Sequence, residues 1–449
     1  MTPGDELQSV DAFMEWLKPH HPGEDVYHQA VLGVVEHVID DVRRNEAYCR
    51  YRILQRLTES DRIISFRVVW EDDDGVPKIS RGYRVQHSNA LGPYKGGLRF
   101  DPAVNLSVLK FLAFEQLFKN SLTGLNLGAG KGGSDFNPKG RSDAEVMRFC
   151  QAFMTELYRH IGQVTDVPAG DIGVGSREIA YLFGQYKRLE NQFSGALTGK
   201  AIGAGGSYLR TEATGYGAVY FLCAMLDENS DDIANKRIAI SGAGNVAVHA
   251  AEKVCALGGV VTTLSNRRGL LLKEDGLSAE DIETVKNEYP QTGDMASIAE
   301  TISAKWSEGQ KPWATDCDIA IPAATQNELD EEDAGKLIDN DCKYVVEGAN
   351  MPLTDAAGRR FHDAGVFVAP GKAANAGGVA VSGFEMSQNR LGSSWSKERL
   401  DSDLRETMIE IFDRCKRYGE RDGRIDYRRG ADRAGFDRVA KAVLSFGTM

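Results

Sequence analysis

A chain of 449 residues is long for one hydrophobic core and predicts two domains. With 42% hydrophobic and 26% charged residues it has the composition of an ordinary globular protein, and no apolar run approaches the roughly 18 residues a membrane-spanning helix needs. The formal net charge of -12 argues against a nucleic-acid partner, so local clusters of positive charge carry more meaning.

The opening residues, Met1-Thr2-Pro3-Gly4-Asp5-Glu6-Leu7, lack a basic stretch followed by an apolar one and do not read as a signal peptide. Residues 27–57 read as helix. Ile64 to Val69 and Gly82 to His87 group their apolar residues as strands do. Gly92-Pro93-Tyr94 interrupts the pattern, and a helix is predicted over 105–120 with Leu109, Leu112, Gln116 and Lys119 along one side. Glycine dominates residues 124–140. A helix from Asp143 to Ile161 follows, then a second glycine-rich turn at Val167–Gly175.

Small residues cluster at 200–217 ahead of an apolar helix at 216–226, which places a domain boundary there: residues 1–203 before it and a second domain over 204–424. From 236 to 350, strands at Ile238–Ser241, Val260–Ser265, Ile319–Ile321 and Lys343–Val346 alternate with helices, which predicts a parallel, doubly wound α/β sheet. The last 70 residues read as helical, with Leu404, Met408, Ile411 and Cys415 forming a core-facing stripe. The seven cysteines are scattered, odd in number and without a C-x-x-C spacing. They are expected to be free thiols in a reducing cytoplasm. The eight histidines show no metal-binding spacing, so no metal is expected.

The strand ending at Ile240 runs into Ser241-Gly242-Ala243-Gly244-Asn245-Val246-Ala247 and a helix at 247–257. This is a dinucleotide fingerprint. Gly242 permits the tight turn, Gly244 lets backbone approach a pyrophosphate, and Ala247 lets helix and strand pack closely. The second strand ends at Ser265-Asn266-Arg267-Arg268, without the acid that usually holds an adenosine ribose. Asn266 and two arginines suit a 2′-phosphate, so NADP(H) is favoured and NAD(H) remains the alternative.

Three lysines of the first domain stand in uncommon surroundings: Lys95 in Pro93-Tyr94-Lys95-Gly96-Gly97, Lys119 on the 105–120 helix, and Lys131 in Gly130-Lys131-Gly132-Gly133. Each alone reads as a solvated side chain, and Asp171 alone reads as a turn-forming residue. Together they could serve a dicarboxylate, which needs cations for both carboxylates, a polarising group and a proton shuttle.

Pro93-Tyr94-Lys95-Gly96-Gly97-Leu98-Arg99-Phe100, Gly130-Lys131-Gly132-Gly133-Ser134-Asp135 and Asp166-Val167-Pro168-Ala169-Gly170-Asp171-Ile172-Gly173 resemble the glutamate dehydrogenase family. So do Glu212–Gly217, Ala324–Glu328, Glu347–Asn350 and Lys372–Gly378. The resemblance runs from about residue 30 to the C-terminus and is to the short, homohexameric class. It implies an N-terminal α/β substrate and assembly domain, joined by a C-terminal helix at 425–449, and a Rossmann-like dinucleotide domain. It also implies reversible oxidative deamination of glutamate to 2-oxoglutarate and ammonium, used for ammonium assimilation.

In this family pattern Lys131 polarises the 2-oxo group and Asp171 exchanges protons with the substrate nitrogen. Gln116 and Lys119 bind the α-carboxylate, and Lys95 and Ser382 bind the distal carboxylate. Gly170 lines the substrate, and Asn375 lies near the nicotinamide and the substrate. Thr214, Asn245, Val246, Ser265, Ala324, Gln326 and Asn350 lie along the cofactor. Neighbouring positive charge is expected to depress the Lys131 pKa. Dehydrogenases of leucine, valine or phenylalanine share the pattern but carry apolar residues where this chain has Lys95 and Ser382.

Overall fold

The computed structural model describes residues 5–447. The first four residues of the stretch read as lacking a leader, and the last two of the segment 425–449, lie outside them. The chain forms two compact units. One holds the described residues up to Tyr208, then Ser382–Ser396 and those from Asp432 onward. The other holds Leu209–Val381 and Lys397–Ala431.

In the first unit the long helix expected over 27–57 is three helices: Asp25–Arg44, Glu46–Arg50 and Ile53–Leu57. Asn45 ends the first and caps the second, its Oδ1 accepting from the Ala47 and Tyr48 amides. Arg52, at φ 51°, turns the chain into the third. Polar spacing alone concealed both breaks.

The first unit's sheet has five strands, β1 (Arg62–Glu71), β2 (Pro77–Ser88), β3 (Tyr94–Phe100), β4 (Ala129–Ser134) and β5 (Asp166–Gly170), in the order β1-β2-β4-β3-β5. The first pairings are antiparallel; β3 runs parallel to both β4 and β5. Helix Leu106–Leu122 connects β3 to β4, and helix Asp143–Leu157 lies between β4 and β5. Alternation along β3 sends Leu98 and Phe100 into a core with Phe149, Phe153 and Leu182. Lys95 and Arg99 therefore share the other face. On that face β4 carries Lys131 opposite Val85, which packs on Leu109 and Ala113 of the connecting helix.

The second unit's sheet has seven strands: β6 (Arg237–Ile240), β7 (Val260–Asn266), β8 (Gly269–Leu272), β9 (Lys305–Glu308), β10 (Ile319–Ile321), β11 (Tyr344–Val346) and β12 (Phe367–Ala369). Their order is β12-β11-β10-β6-β7-β8-β9. The first five are parallel, as alternating strands and helices predict; β8 and β9 add an antiparallel edge that the sequence reading left as loop. Strand order reverses at β6, which puts its carboxyl end at the switch point where ligands of such sheets bind. Leu404, Met408, Ile411 and Cys415 of helix Lys397–Gly419 are each 0% exposed. Among the described residues no helix is long and apolar enough to cross a membrane, and all seven cysteines are free.

Candidate active site

The first unit gathers charge that is costly to bury. Lys95 is 1% exposed, and its Nζ donates to Thr198 Oγ1 at 2.7 Å. An ammonium removed from water needs acceptors and an anion. Thr198 is held in turn by its amide on Pro168 O. The next two residues are clamped by Glu385, which accepts from the Gly199 amide and, fully buried, from Lys200 Nζ. Glu385 lies one helical turn after the buried Ser382, on helix Gly377–Leu391.

Gln116 and Lys119 stand on helix Leu106–Leu122, both partly exposed. Gln116 Nε2 donates to Asn120 Oδ1 at 2.6 Å, and Asn120 Nδ2 donates to the carbonyls of Lys95 and Gly128. One buried asparagine thereby links the helix to β3 near both lysines.

Lys131 Nζ lies 3.2 Å from Asp171 Oδ1, and Arg99 Nε donates to Asp171 Oδ2 at 2.7 Å. Asp171 follows β5 directly, next to Gly170, in a turn closed by Val174 N on Asp171 O. Gly97 on β3 leaves it room: a Cβ there would lie 2.8 Å from Asp171 Cβ and 2.8 Å from Gly170 O. On the opposite face of the sheet, Arg84 and Asp166 form a fully buried ion pair, with Arg84 Nε on Asp166 Oδ2 at 2.9 Å and Arg84 Nη1 on Gly96 O.

Burial is the largest influence on Lys131 and lowers its pKa below the ordinary lysine range. Asp171 opposes this, while Arg99 and Arg84 add to it. Neighbouring positive charge contributes, as the sequence predicts, but desolvation comes first. Burial alone would push the Asp171 carboxyl up; Lys131 and Arg99 outweigh it and hold the group below the usual carboxylate range. The pair is a desolvated lysine able to give up its proton more readily than in water, beside a carboxylate kept ionised. Such a pair can polarise a carbonyl and move protons.

In the second unit Gly242 takes φ +88° directly after β6, and a Cβ there would meet Ala323 O at 3.0 Å. A Cβ at Gly244 would meet nothing within 4 Å, so that side of the loop is open. Helix Asn245–Ala256 starts here with exposed Asn245 and half-buried Val246 in its first turn, its amides available to an anion. These features fit a dinucleotide pyrophosphate. Ser265 is buried, and its hydroxyl accepts from Gly242 N at 3.0 Å, so it shapes the loop. Asn266 Oδ1 accepts from the Arg268 and Gly269 amides and builds the turn that presents Arg267 and Arg268 to solvent. Arg268 Nε lies 3.6 Å from Glu308 Oε1 on the neighbouring edge strand.

Beyond β10, Ala324 N donates to Glu328 Oε1, and Gln326 is exposed. Thr214 lies half-buried in the first turn of helix Ala213–Glu228. Asn375 is 3% exposed; its Nδ2 donates to Asn350 Oδ1 at 2.9 Å and Ala349 O, while its buried Oδ1 has no partner among the described residues. This acceptor is open to a donor N–H.

Two family models match the chain: Glutamate/Leucine/Phenylalanine/Valine dehydrogenase over residues 205–447, and the Glu/Leu/Phe/Val dehydrogenase dimerisation domain over 60–188. The chain belongs to the Glu/Leu/Phe/Val dehydrogenase family. The NADP-specific glutamate dehydrogenase of a Psychrobacter species is 50% identical, over 98% of this chain and 100% of its own. The NAD-specific glutamate dehydrogenase of Bacteroides fragilis is 49% identical, over 98% and 99%. The crystal structure of Plasmodium falciparum glutamate dehydrogenase superposes with a TM-score of 0.96 at 45% identity, covering 98% of this chain and 95% of that one.

Several residues of this dehydrogenase fold's site escaped the sequence reading. Arg99 stands four residues after Lys95 on a strand, so period-two alternation could have placed both on one face. Thr198, Asn120 and the Lys200–Glu385 pair gave no local signal. The partners that give them their place, Lys95 for Thr198 and Asn120, and Glu385 for Lys200, lie 25 to 185 residues away in the chain.

Proposed function

We propose that this chain catalyses the reversible oxidative deamination of L-glutamate to 2-oxoglutarate and ammonium with NADP(H), with NAD(H) as the alternative cofactor. The observation that carries this reading is Asp171 held between Lys131 and Arg99, on the same sheet face as the buried cation Lys95. A desolvated Lys95 ammonium held by Thr198 favours a substrate with an anionic side chain over leucine, valine or phenylalanine, because a buried cation attracts a carboxylate and gains nothing from an apolar chain.

In the synthetic direction Lys119 and Gln116 hold the α-carboxylate, Lys95 and Ser382 hold the distal carboxylate, and Gly170 lines the substrate. Lys131 donates a hydrogen bond to the 2-oxo oxygen and stabilises charge as ammonia adds to C2. Asp171 takes a proton from the added nitrogen; that proton and one from Lys131 pass to the former carbonyl oxygen, which leaves as water and gives the iminium. A nicotinamide held beside this site would supply the hydride for C2 and accept it in the reverse direction. The amides of helix Asn245–Ala256, with Gly242 and Gly244, would hold the pyrophosphate, and Arg267 and Arg268 the 2′-phosphate. Asn245, Val246, Thr214, Ala324, Gln326 and Asn350 would line the dinucleotide, and the open Oδ1 of Asn375 would accept from its carboxamide. Ser265 and Asn266 act through the loop and turn they build.

NADP preference supports use in ammonium assimilation, and seven free thiols support a reducing, cytoplasmic setting. The chain is further proposed to form a homohexamer. Edge strand β1 exposes Ile63 and Val69 and its neighbour β2 exposes Ile79, an unpaired edge suited to self-association. Light scattering tests this: six 49.1 kDa chains per particle are expected, and a monomer in solution overturns it. The activity is tested by glutamate-dependent reduction of NADP+ with 2-oxoglutarate identified as product. Turnover of leucine or phenylalanine in preference to glutamate would overturn the substrate assignment.

A further inference from the structure

We propose that Arg99 is the positioning residue of the proton-transferring carboxylate: it fixes Asp171 with Oδ1 turned to Lys131 and keeps that carboxylate ionised. The proposal rests on the reading of Lys131 and Asp171 given above.

The geometry is specific. Each oxygen of Asp171 faces its own cation, Oδ2 taking the Arg99 Nε hydrogen bond at 2.7 Å and Oδ1 lying 3.2 Å from Lys131 Nζ. Both members of the Arg99–Asp171 pair are mostly shielded, at 19% and 18% side-chain exposure, so the bond is not a fully solvated surface contact. Strand register makes the pairing possible. Leu98 of β3 is paired with Gly170 of β5, which brings the next residues, Arg99 and Asp171, side by side. The turn is tied to β3 again by Phe100 N on Ile172 O at 2.9 Å. Without Arg99, Oδ2 would lose its fixed donor. The carboxylate could then rotate and present either oxygen to Lys131.

Arg99 on β3 and Lys131 on β4 face Asp171 directly, and Arg84 on β2 acts on Lys131 from the opposite face of the sheet. Arg84 is already committed to the buried Asp166. Removing the Arg99 charge therefore acts in one direction on both partners. Asp171 loses a stabilising cation, and its proton affinity rises. Lys131 loses a like-charged neighbour, and its proton affinity rises too. The two groups titrate as a coupled pair, but the common sign keeps the expected shift unambiguous.

In glutamate oxidation the ionised Asp171 must accept a proton from the substrate nitrogen, so activity falls as pH drops through its pKa. For Arg99→Gln the acid limb of the kcat/KM profile should move up by about one pH unit. The kcat should fall by about 10- to 100-fold with a much smaller change in the KM for glutamate. For Arg99→Lys, which keeps the charge but loses the guanidinium geometry, kcat should fall while the acid limb stays close to that of the parent. A purely structural role would lower activity without moving the limb.

The parent protein is assayed first; if it lacks glutamate-dependent activity, the proposed function fails before Arg99 is in question. With an active parent, an unmoved acid limb in Arg99→Gln overturns the charge role. Unchanged kcat in Arg99→Lys overturns the positioning role. Should Arg99→Gln fail to fold by circular dichroism, Arg99→Lys decides: a limb shifted upward by a full unit despite the retained charge, an unchanged kcat, or a kcat that falls together with thermal stability overturns the proposal, and a lowered kcat with an unmoved limb, an unchanged KM for glutamate and unchanged thermal stability supports it.

Discussion

Replacing Lys95 with leucine removes a cation that is 1% exposed and donates to Thr198, while keeping an apolar side chain of comparable bulk in the same place. If Lys95 pairs with the distal carboxylate of the substrate, the variant must bury that carboxylate without its partner. Truncating one member of a buried, hydrogen-bonded charge pair costs about 2–5 kcal/mol, equivalent to a loss of roughly 30- to 5,000-fold at about 1.4 kcal/mol per decade. The burial of Lys95 places the expected loss in kcat/KM for 2-oxoglutarate in the middle of that range, at about 100- to 1,000-fold. The assay compares kcat/KM for 2-oxoglutarate with that for a straight-chain monocarboxylic 2-oxo acid, in parent and Lys95→Leu proteins of equal thermal stability. The monocarboxylate should improve or stay level, because its apolar end then meets leucine in place of an ammonium. A kcat/KM for 2-oxoglutarate within threefold of the parent would refute the assignment of Lys95 to the distal carboxylate.

Other substitutions probe the supports of the site. Gly97→Ala puts a methyl group 2.8 Å from Asp171 Cβ and Gly170 O, so kcat should fall by about 100-fold with the circular dichroism spectrum unchanged; undiminished turnover would contradict the packing described. Arg84→Met leaves Asp166 charged and buried, which should lower stability to chemical denaturation by about 3–5 kcal/mol, and an unshifted denaturation midpoint would contradict the account. Exchanging Arg267 and Arg268 for alanine should raise the KM for NADPH by about tenfold or more and leave that for NADH nearly constant. Equal effects on both cofactors would remove these arginines from 2′-phosphate recognition.

The parts of the molecule legible in sequence are those whose physics is local. The fingerprint at Gly242–Ala247 could be read because a strand, a tight turn and a helix start must follow one another directly. The helix stripe at Leu404, Met408, Ile411 and Cys415 could be read because 3.6-residue periodicity needs no knowledge of the partner. Strands β3 and β4 were read as a break and a glycine-rich stretch, since glycine is disfavoured in strands. Gly97 shows why it is needed here: Asp171 occupies the space a side chain would fill. Thr198 and Asn120 were invisible for a different reason. Thr198 meets Lys95 across 103 residues, and Asn120 reaches the Lys95 carbonyl across 25, distances over which no periodicity carries information. The antiparallel edge of β8 and β9 has no local signature of this kind: Asn266 builds a tight turn after β7, and β9 joins β8 only across about 35 residues.

The central claim is most directly tested by the initial rate of NADPH oxidation with 2-oxoglutarate, in the presence and absence of ammonium, repeated with NADH. The account predicts a fast, ammonium-dependent rate with NADPH and a slower one with NADH. A rate independent of ammonium, or none with either cofactor, would contradict it.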